Sequence, residues 1–350
     1  MPKLDAAKLV AVRKLLKKNQ VDGYIISDFL DTKYIMGNAF IVPDEATLLI
    51  HQKGLYIVAR TLYQAPIAAA YPEVKIEGAD EHREVKIIAA AKKLGLKKVA
   101  FDSEKEFYSK GKAYVKAGFK EIPSLIGQIR VVKTDTEIKT MATAAKILYK
   151  AVKHIEKFLK VGVSEMEICQ ELESFCKLQG STGVPFETIV AFGPNTGNPH
   201  HSTGNTKLKK NMPITMDFGC IYKNYAGDIT RNIWFGGKPD AEYAKIHRIV
   251  KAAHDAVVEK ARPGMTGKQI DAIARDYITK AGYGEYFTHR TGHGIGLQDH
   301  EAADISQINN GKILENYCFS VEPGIYLNNK FGARFEDCFY MTKNGPKRLG

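Results

Sequence analysis

Four carboxylates lie in two short stretches of the chain that each predict a β-hairpin. MDFGCIYKNYAGDITR contains Asp217 and Asp228, and VEPGIYLNNKFGARFED contains Glu322 and Glu336. The spacing predicts that the two acids of each hairpin face one another across the strands. Like charges in that arrangement repel by about 4 kcal/mol at 4 Å and an effective dielectric constant of 20. Two such pairs in one chain therefore predict cations between the acids.

Three histidines follow the first hairpin in the segment FTHRTGHGIGLQDHE, at His289, His293 and His300. Imidazoles bind metals or carry protons, and the neighbouring glycines allow the backbone to approach a ligand closely. Two divalent ions would neutralise four carboxylates, and carboxylates with one imidazole suit Mn²⁺, Co²⁺, Fe²⁺ or Zn²⁺. Two such ions about 3.5–4 Å apart can activate water and polarise a carbonyl, which predicts amide hydrolysis.

The elements that position the acids are the two hairpins. Their turns are predicted at 222–223 and at 328–330, and alternation along the strands puts the acids on polar faces. The second hairpin has an opposite, apolar face. That face contains Phe319, Val321, Ile325, Leu327, Phe331, Phe335, Phe339 and Met341. Asp337 interrupts this apolar face, and the sequence gives no reason for it.

Residues 131–350 contain an internal duplication. The segment FLKVGVSEMEICQELESFCKLQG is echoed by EKARPGMTGKQIDAIARDYITKAG, so that Ser164 matches Thr266 and Gly180 matches Gly282. Each copy predicts a helix that begins at a capping box and ends at a glycine. A hairpin follows in both copies. We therefore predict an α+β domain over 131–350 with a pseudo-two-fold repeat of helix, helix and hairpin.

Residues 1–130 predict a separate α/β domain in which short apolar runs alternate with helical patterns. Strands are predicted at 22–27, 46–51, 55–60, 74–79 and 97–102, and helices near 4–19, 62–70, 83–94 and 105–117. A capping box at Thr134 and Glu137 then begins a long helix and marks the second domain.

The composition predicts a globular protein without a membrane or nucleic-acid partner. Hydrophobic residues make up 44% and charged residues 26% of the chain, and no apolar run approaches the ~20 residues of a membrane span. The net charge of +12 could attract nucleic acid. Much of it lies in 92–120, where acids and aromatics interleave with the lysines, so we favour a solvated surface.

Five cysteines without a CxxC pair predict buried structural thiols. Cys169 and Cys176 fall seven residues apart on a predicted helix and so share one face. We favour this interpretation over a disulfide or a zinc site, and it predicts a reducing, cytoplasmic compartment.

Four segments resemble the signature blocks of the pita-bread metallopeptidases: DFGCIYKNYAGDITR, HRTGHGIGLQDHE, VEPGIY and ARFED. That family includes methionine aminopeptidase, aminopeptidase P and prolidase, and the resemblance covers 131–350. Residues 1–130 are similar to the N-terminal domain of the creatinase, prolidase and aminopeptidase P branch, which favours cleavage of Xaa-Pro bonds. The resemblance also implies a homodimer. The chain ends at 347–350, and we expect a customary final segment to be shortened.

The resemblance implies a metal ligand at each of five positions. These are Asp217, Asp228, His293, Glu322 and Glu336. Asp228 and Glu336 would bridge two divalent ions, for which Mn²⁺ is expected and Co²⁺, Zn²⁺ and Fe²⁺ are alternatives.

The resemblance also implies roles for residues that touch the substrate. Glu322 would serve the attacking water as general base, and His200 in NPHHSTGN would stabilise the tetrahedral intermediate. His300 would share in catalysis. His289, His300 and Arg334 would bind a proline-containing peptide on its proline side.

Two activities remain open on this resemblance, namely an Xaa-Pro dipeptidase, which we favour, and an Xaa-Pro aminopeptidase acting on longer peptides. A third hypothesis is a non-catalytic peptide-binding module or a metal-free relative such as creatinase. Those relatives lose ligands that this chain keeps. A nucleic-acid-binding protein is the least favoured alternative.

Overall fold

The computed structural model of the protein describes residues 4–37 and 45–350. The chain divides into two compact units, Met1–Arg130 and Val131–Gly350, called here the N-terminal unit and the C-terminal unit. Among the described residues, no helix is long and apolar enough to cross a membrane.

The N-terminal unit is a six-stranded mixed sheet with helices. Its strands are β1 (Gly23–Ile26), β2 (Ala46–His51), β3 (Gly54–Ala59), β4 (Lys75–Gly78), β5 (Val99–Asp102) and β6 (Lys120–Ile122), in the order β4-β3-β2-β1-β5-β6. Its helices are α1 (Ala6–Lys18), α2 (Phe29–Met36), α3 (Thr61–Ala70), α4 (Arg83–Lys93), α5 (Tyr108–Lys116) and α6 (Leu125–Arg130). All five predicted strands form, and so do all four predicted helices.

The prediction missed the short elements of this unit, which are α2, β6 and α6. Helix α2 has eight residues and is capped by Asp28, whose side chain accepts a hydrogen bond from the Asp31 N–H at 2.9 Å. Elements this short carry too few residues to show a period.

The first half of the C-terminal unit packs two helices on a three-stranded sheet. It contains α7 (Asp135–Ile155), α8 (Glu165–Leu178), β7 (Ile189–Phe192), β8 (Met212–Tyr222) and β9 (Tyr225–Phe235). Both helices begin with the predicted capping boxes, at Thr134 and Ser164. Cys169 and Cys176 lie on the buried face of α8, and all five cysteines are free and buried.

The second half repeats this arrangement with shorter strands. Its helices are α9 (Ala241–Lys260) and α10 (Gly267–Lys280), and its strands are β10 (Gly292–Gly294), β11 (Glu301–Ile305), β12 (Cys318–Val321), β13 (Gly324–Leu327), β14 (Phe331–Arg334), β15 (Asp337–Thr342) and β16 (Gly345–Arg348). Strands β11-β10-β12-β15-β16 form one sheet, and β13 pairs with β14.

Matched backbone contacts confirm the pseudo-two-fold duplication. Gly162 and Gly264 both have φ of 90°, and their N–H groups donate to the carbonyls of Leu208 at 2.9 Å and Ile313 at 2.8 Å. The capping box of α10 at Thr266 repeats the one of α8. Each half has its own apolar core between its helices and its sheet. The predicted fold class, an α/β unit followed by a duplicated α+β unit, is confirmed.

Candidate active site

The first hairpin turns one residue later than predicted. Its turn is Lys223-Asn224, and both residues have positive φ, at 47° and 73°, as a two-residue type I′ turn requires. Asp217 therefore lies opposite Thr230, and Asp228 lies opposite Gly219. The prediction that the two aspartates face each other directly was wrong. They are diagonal neighbours on one face, which leaves more room between their carboxylates.

The second hairpin has the predicted three-residue turn at 328–330 but is interrupted at the acids. Strands β12 and β15 pair on one side of the interruption, and β13 and β14 pair on the other. Glu322 and Glu336 lie in the gap. The Glu322 N–H donates to the Thr291 carbonyl at 2.8 Å, and the Glu336 N–H donates to the Thr230 carbonyl at 3.4 Å. Thr230 belongs to the first hairpin, so this contact joins the two halves.

Asp337, which broke the apolar face of the second hairpin, is a buried anchor for an arginine. Its Oδ1 accepts hydrogen bonds from Arg231 Nη2 at 2.6 Å and from the Tyr149 hydroxyl at 2.8 Å. Arg231 Nη1 donates to the Glu336 carbonyl at 2.6 Å. Asp337 therefore holds the backbone of a candidate ligand through an arginine of the other half.

His293 projects from β10 into the group of acids. Its Nδ1 lies 3.1 Å from the Gly294 carbonyl, so Nδ1 carries a hydrogen and Nε2 faces the acids. Nε2 lies 3.5 Å from Asp228 Oδ2 and 3.5 Å from Glu322 Oε1. The His293 N–H also donates to Ser320 Oγ at 3.1 Å.

The acids and His293 fit a divalent metal site. Ligand atoms of Asp228, His293 and Glu336 lie within 4.8 Å of one another. Asp217 Oδ1, Asp228 Oδ1 and Glu336 Oε1 are buried and have no hydrogen-bond partner among the described residues. Buried carboxylate oxygens without donors are costly unless a cation satisfies them. The donor set of carboxylates and one imidazole is the chemistry that Mn²⁺, Co²⁺, Fe²⁺ and Zn²⁺ accept.

Without a cation, these acids resist ionisation. Burial, followed by the charge of Glu336, raises the pKa of Asp228 well above its usual range. Burial and then the charge of Glu322 do the same to the pKa of Glu336. Burial raises the pKa of Glu322 to about 8, with a further contribution from Asp217. Mutual repulsion of this kind is what a bound cation would relieve.

A further carboxylate, Asp299, lies at the same cluster and was missed by the sequence prediction. Its Oδ2 lies 3.2 Å from His300 Nε2, and His293, Asp299 and His300 have ligand atoms within 4.8 Å of each other. The ring centroids of His293 and His300 are 4.0 Å apart. Asp299 stands next to His300 in HRTGHGIGLQDHE, and that adjacency was the available signal.

Arg334, His289 and the unpredicted Tyr326 form one hydrogen-bonded chain. Arg334 Nη1 donates to the Tyr326 hydroxyl at 2.7 Å, and that hydroxyl lies 2.8 Å from His289 Nε2. His289 Nδ1 lies 2.7 Å from the Arg290 carbonyl, so Nδ1 carries the hydrogen and Nε2 accepts from Tyr326. Burial lowers the pKa of His289 to about 3, with a contribution from Arg334. His289 is therefore neutral. Arg334 Nη2 also donates to Asp217 Oδ2.

His200 lies in the loop between β7 and β8, which a buried glutamate holds in place. Glu165 has a side-chain exposure of 0% and accepts four hydrogen bonds from this segment. The donors are the Phe192 N–H at 2.8 Å, Asn195 Nδ2 at 2.8 Å, His201 Nε2 at 2.9 Å and the Gly204 N–H at 3.1 Å. His200 itself is exposed and lines the same cavity as the acids. His201, by contrast, is held by Glu165.

All nine predicted site residues line one cavity of about 820 Å³. They are Asp217, Asp228, His293, Glu322, Glu336, His200, His289, His300 and Arg334. Arg290 and Asp299 line it as well, and residues of α8 and of the segment before β7 complete its wall. A volume of this size accommodates a small molecule or a short peptide.

The pseudo-two-fold C-terminal unit with its clustered acids is the pita-bread fold of metallopeptidases. Residues 139–343 match metallopeptidase family M24, and the chain belongs to this family. The Xaa-Pro dipeptidase of Pyrococcus horikoshii is 32% identical over 343 residues, which cover 98% of this chain and 96% of that protein. The resemblance seen in the sequence is thereby confirmed.

Two solved structures are similar over almost the whole chain. The Xaa-Pro dipeptidase from Bacillus anthracis has a TM-score of 0.91 at 33% identity and covers 98% of this chain and 96% of its own. The X-Pro aminopeptidase from Thermotoga maritima has a TM-score of 0.84 at 30% identity and covers 94% of this chain and 95% of its own.

Proposed function

We propose that the protein is a metal-dependent peptidase that hydrolyses the Xaa-Pro bond at the N-terminus of short peptides, with dipeptides as preferred substrates. The observation that carries this proposal is the convergence of four carboxylates and His293 on one cavity, where three of the carboxylates have a buried oxygen without a hydrogen-bond partner among the described residues. The relatives named Xaa-Pro dipeptidase, which match nearly the full chain, support it.

We assign the metal ligands to Asp217, Asp228, His293, Glu322 and Glu336, and we expect two ions, preferably Mn²⁺. The four negative charges of these carboxylates balance two divalent ions, and the family pattern implies that Asp228 and Glu336 would each be a ligand of both. When bound, the ions would supply an activated water and a polarised carbonyl. Thr230 donates to Glu336 Oε2 at 2.7 Å and fixes that carboxylate in place.

The general base would be Glu322, because its carboxylate reaches the cluster from the interruption between two strands and accepts from Ser320 Oγ at 3.3 Å. His200 would donate a hydrogen bond to the oxygen of the scissile carbonyl as negative charge develops there. Its exposure in the cavity leaves its ring available for that role.

The proline side of the cavity would be formed by His289, His300 and the Arg334 side chain. His289 is neutral, and its ring is fixed by Tyr326, so it presents a rigid surface. Proline lacks an N–H and has a fixed φ, so recognition by strand pairing fails and shape must replace it. Holding the ring in place brings the imide carbonyl to the reacting position.

We further propose that 131–350 form the catalytic domain and that 1–130 form a creatinase-like domain which helps to assemble a homodimer. The five buried, free cysteines support a reducing, cytoplasmic location.

Purified protein should be supplied with Mn²⁺, Co²⁺ or Zn²⁺ and tested on Ala-Pro and Ala-Pro-Ala, with chelator controls. We expect metal-dependent release of alanine from Ala-Pro, and weaker cleavage of Ala-Pro-Ala. Preference for Ala-Pro-Ala would instead indicate an aminopeptidase, the activity named for the Thermotoga maritima structure. Cleavage of neither substrate with any metal would refute the peptidase proposal.

A further inference from the structure

We propose that Arg290 binds the free carboxylate of the dipeptide substrate and that it, rather than Arg334, sets the preference for dipeptides. The inference rests on the proposed function. Among the described residues that line the cavity, arginine occurs at these two positions and lysine does not occur. A substrate carboxylate could therefore pair with the guanidinium of Arg290 or with that of Arg334.

The hydrogen-bond donors of Arg334 are mostly engaged by other residues of the protein. Nε donates to Thr230 Oγ at 3.1 Å, Nη1 donates to the Tyr326 hydroxyl at 2.7 Å and to the Pro199 carbonyl at 3.3 Å, and Nη2 donates to Asp217 Oδ2. These contacts use four of the five N–H donors of a guanidinium. Its side chain is 4% exposed. Arg334 thus acts as a buried brace between the halves, and the single N–H that is left cannot form the two parallel hydrogen bonds of a paired carboxylate.

Arg290 has the opposite character. Its side chain is 35% exposed and lines the cavity. Nη1 donates to Asp304 Oδ1 at 2.7 Å and Nη2 lies 2.9 Å from His300 Nδ1, which accounts for two of the five donors. The remaining N–H groups can pair with a planar carboxylate. Asp304 and His300 hold the guanidinium in one orientation, so little side-chain entropy is left to lose on binding.

The position of Arg290 also suits the length of a dipeptide. The carboxylate of a C-terminal proline lies one residue, about 3.8 Å in Cα spacing, from the residue that carries the scissile carbonyl. Arg290 Nη2 contacts His300, whose ring packs on the candidate ligand His293 at 4.0 Å. The His300 ring thus lies between the Arg290 guanidinium and the candidate ligand His293. In a longer peptide this place is taken by a neutral amide, which gains no charge pairing.

Arg290→Gln tests the proposal because it removes the charge and keeps a polar, hydrogen-bonding side chain. Holoenzyme would be assayed with Ala-Pro and with Ala-Pro-amide, which differ at the carboxylate alone. We expect KM for Ala-Pro to rise about 10- to 100-fold, since charge-assisted hydrogen bonds are lost. KM for Ala-Pro-amide should change less than about threefold. Arg290→Lys should recover part of the Ala-Pro affinity, because it retains the charge without the fork.

Asp304→Asn is the matched control, since it removes the negative charge that pairs with Nη1 and leaves the guanidinium. It should raise KM for Ala-Pro by less than Arg290→Gln does. Equal losses with both substrates, or no loss with Ala-Pro, would overturn the proposal. A measurement without variants is inhibition of the wild-type enzyme, where L-proline should bind more tightly than L-prolinamide, and equal inhibition would count against Arg290. Wild-type protein that cleaves neither substrate would contradict the proposed function instead.

Discussion

The two halves of the C-terminal unit share a framework but deliver their acids differently. In the first half, Asp217 and Asp228 lie within two continuous strands of eleven residues each. In the second half, Glu322 and Glu336 lie where the ladder is interrupted between short strands. The acids are thus glutamates where the strand pairing is interrupted, and the shorter aspartates where it is continuous.

The halves also differ in how they hold their histidines. In the first half, Glu165 at the start of α8 binds the loop that carries His200. The matching residue of α10 is Gly267, where an added Cβ would lie 2.2 Å from the Asp304 carbonyl. The second half uses Asp271 instead, which accepts from the Thr291 N–H at 3.0 Å, two residues before His293. The helices and turns of the two halves thus match, whereas Glu165 and Asp271, the buried carboxylates that hold the histidine-bearing segments, lie at different positions.

The largest effect should come from neutralising one central acid in each half. Asp228→Asn and Glu336→Gln should each lower kcat/KM about 1,000-fold or more, since metal-derived stabilisation is worth several kcal/mol and 1.36 kcal/mol is tenfold. Metal analysis of the dialysed proteins should find fewer than two ions per chain. Two tightly bound ions in Asp228→Asn would refute its bridging role.

The next effect concerns how the stability of the metal-free protein depends on pH. The pKa of Glu322 in the folded protein is raised to about 8. At pH values between the ordinary pKa of a glutamate and 8, the folded protein therefore binds more protons than the unfolded chain. Stability is therefore present at low pH and lost as pH rises through 8. Chelated protein should lose a few kcal/mol of unfolding free energy from about pH 5 to pH 8.5.

Thermal melts across that range would measure this trend. Glu322→Gln should make the trend shallower, with the remainder due to Asp228 and Glu336, and added Mn²⁺ should oppose it because a cation favours the ionised acids. A metal-free protein whose stability rises over this range would contradict the burial argument.

A smaller effect should distinguish Glu165 from Asp271, the two buried carboxylates that hold the histidine-bearing segments. Glu165→Gln should lower kcat about tenfold, because a carboxylate with four donors is replaced by an amide that leaves some unpaired. In a His200→Ala background the same change should have little further effect on kcat. Asp271→Asn is the comparison, and its effect should persist in that background. Full additivity of Glu165→Gln with His200→Ala would show that Glu165 acts otherwise.

The smallest effect should fall equally on the two halves. Ser164→Ala and Thr266→Ala each remove the side-chain cap of a matched capping box. Each should cost about 1 kcal/mol of stability. The kcat value should stay close to wild type, because neither hydroxyl lines the cavity. Urea unfolding of both variants would check this, and a loss confined to one half would contradict the symmetry of the framework.

Much of the fold was predictable because its signals are local. Capping boxes, alternation and apolar runs depend on neighbouring residues, and they gave the strands of the N-terminal unit and the duplication. The register of the first hairpin was missed because the sequence permits either turn position. The preference for positive φ at Asn224 favours the later one.

Residues with distant partners were beyond prediction from the sequence. The position of Asp337 makes sense with Arg231, which lies 106 residues earlier in the chain. Glu165 holds a segment 27 to 39 residues away. Nothing local distinguishes such acids from solvated ones. The candidate ligands could be named because their spacing resembles a family pattern, whereas their supporting residues follow no such pattern.

The contact between Thr230 and Glu336 has a consequence for folding kinetics. Because each half supplies two of the candidate acids, metal sites can be complete only after segments more than a hundred residues apart have met. Bound ions would then act as reversible cross-links between the halves, closing a long loop in the chain. Losing them would speed unfolding more than it slows folding, provided that the halves dock late on the pathway. The lifetime of the native state would then depend on the concentration of free metal.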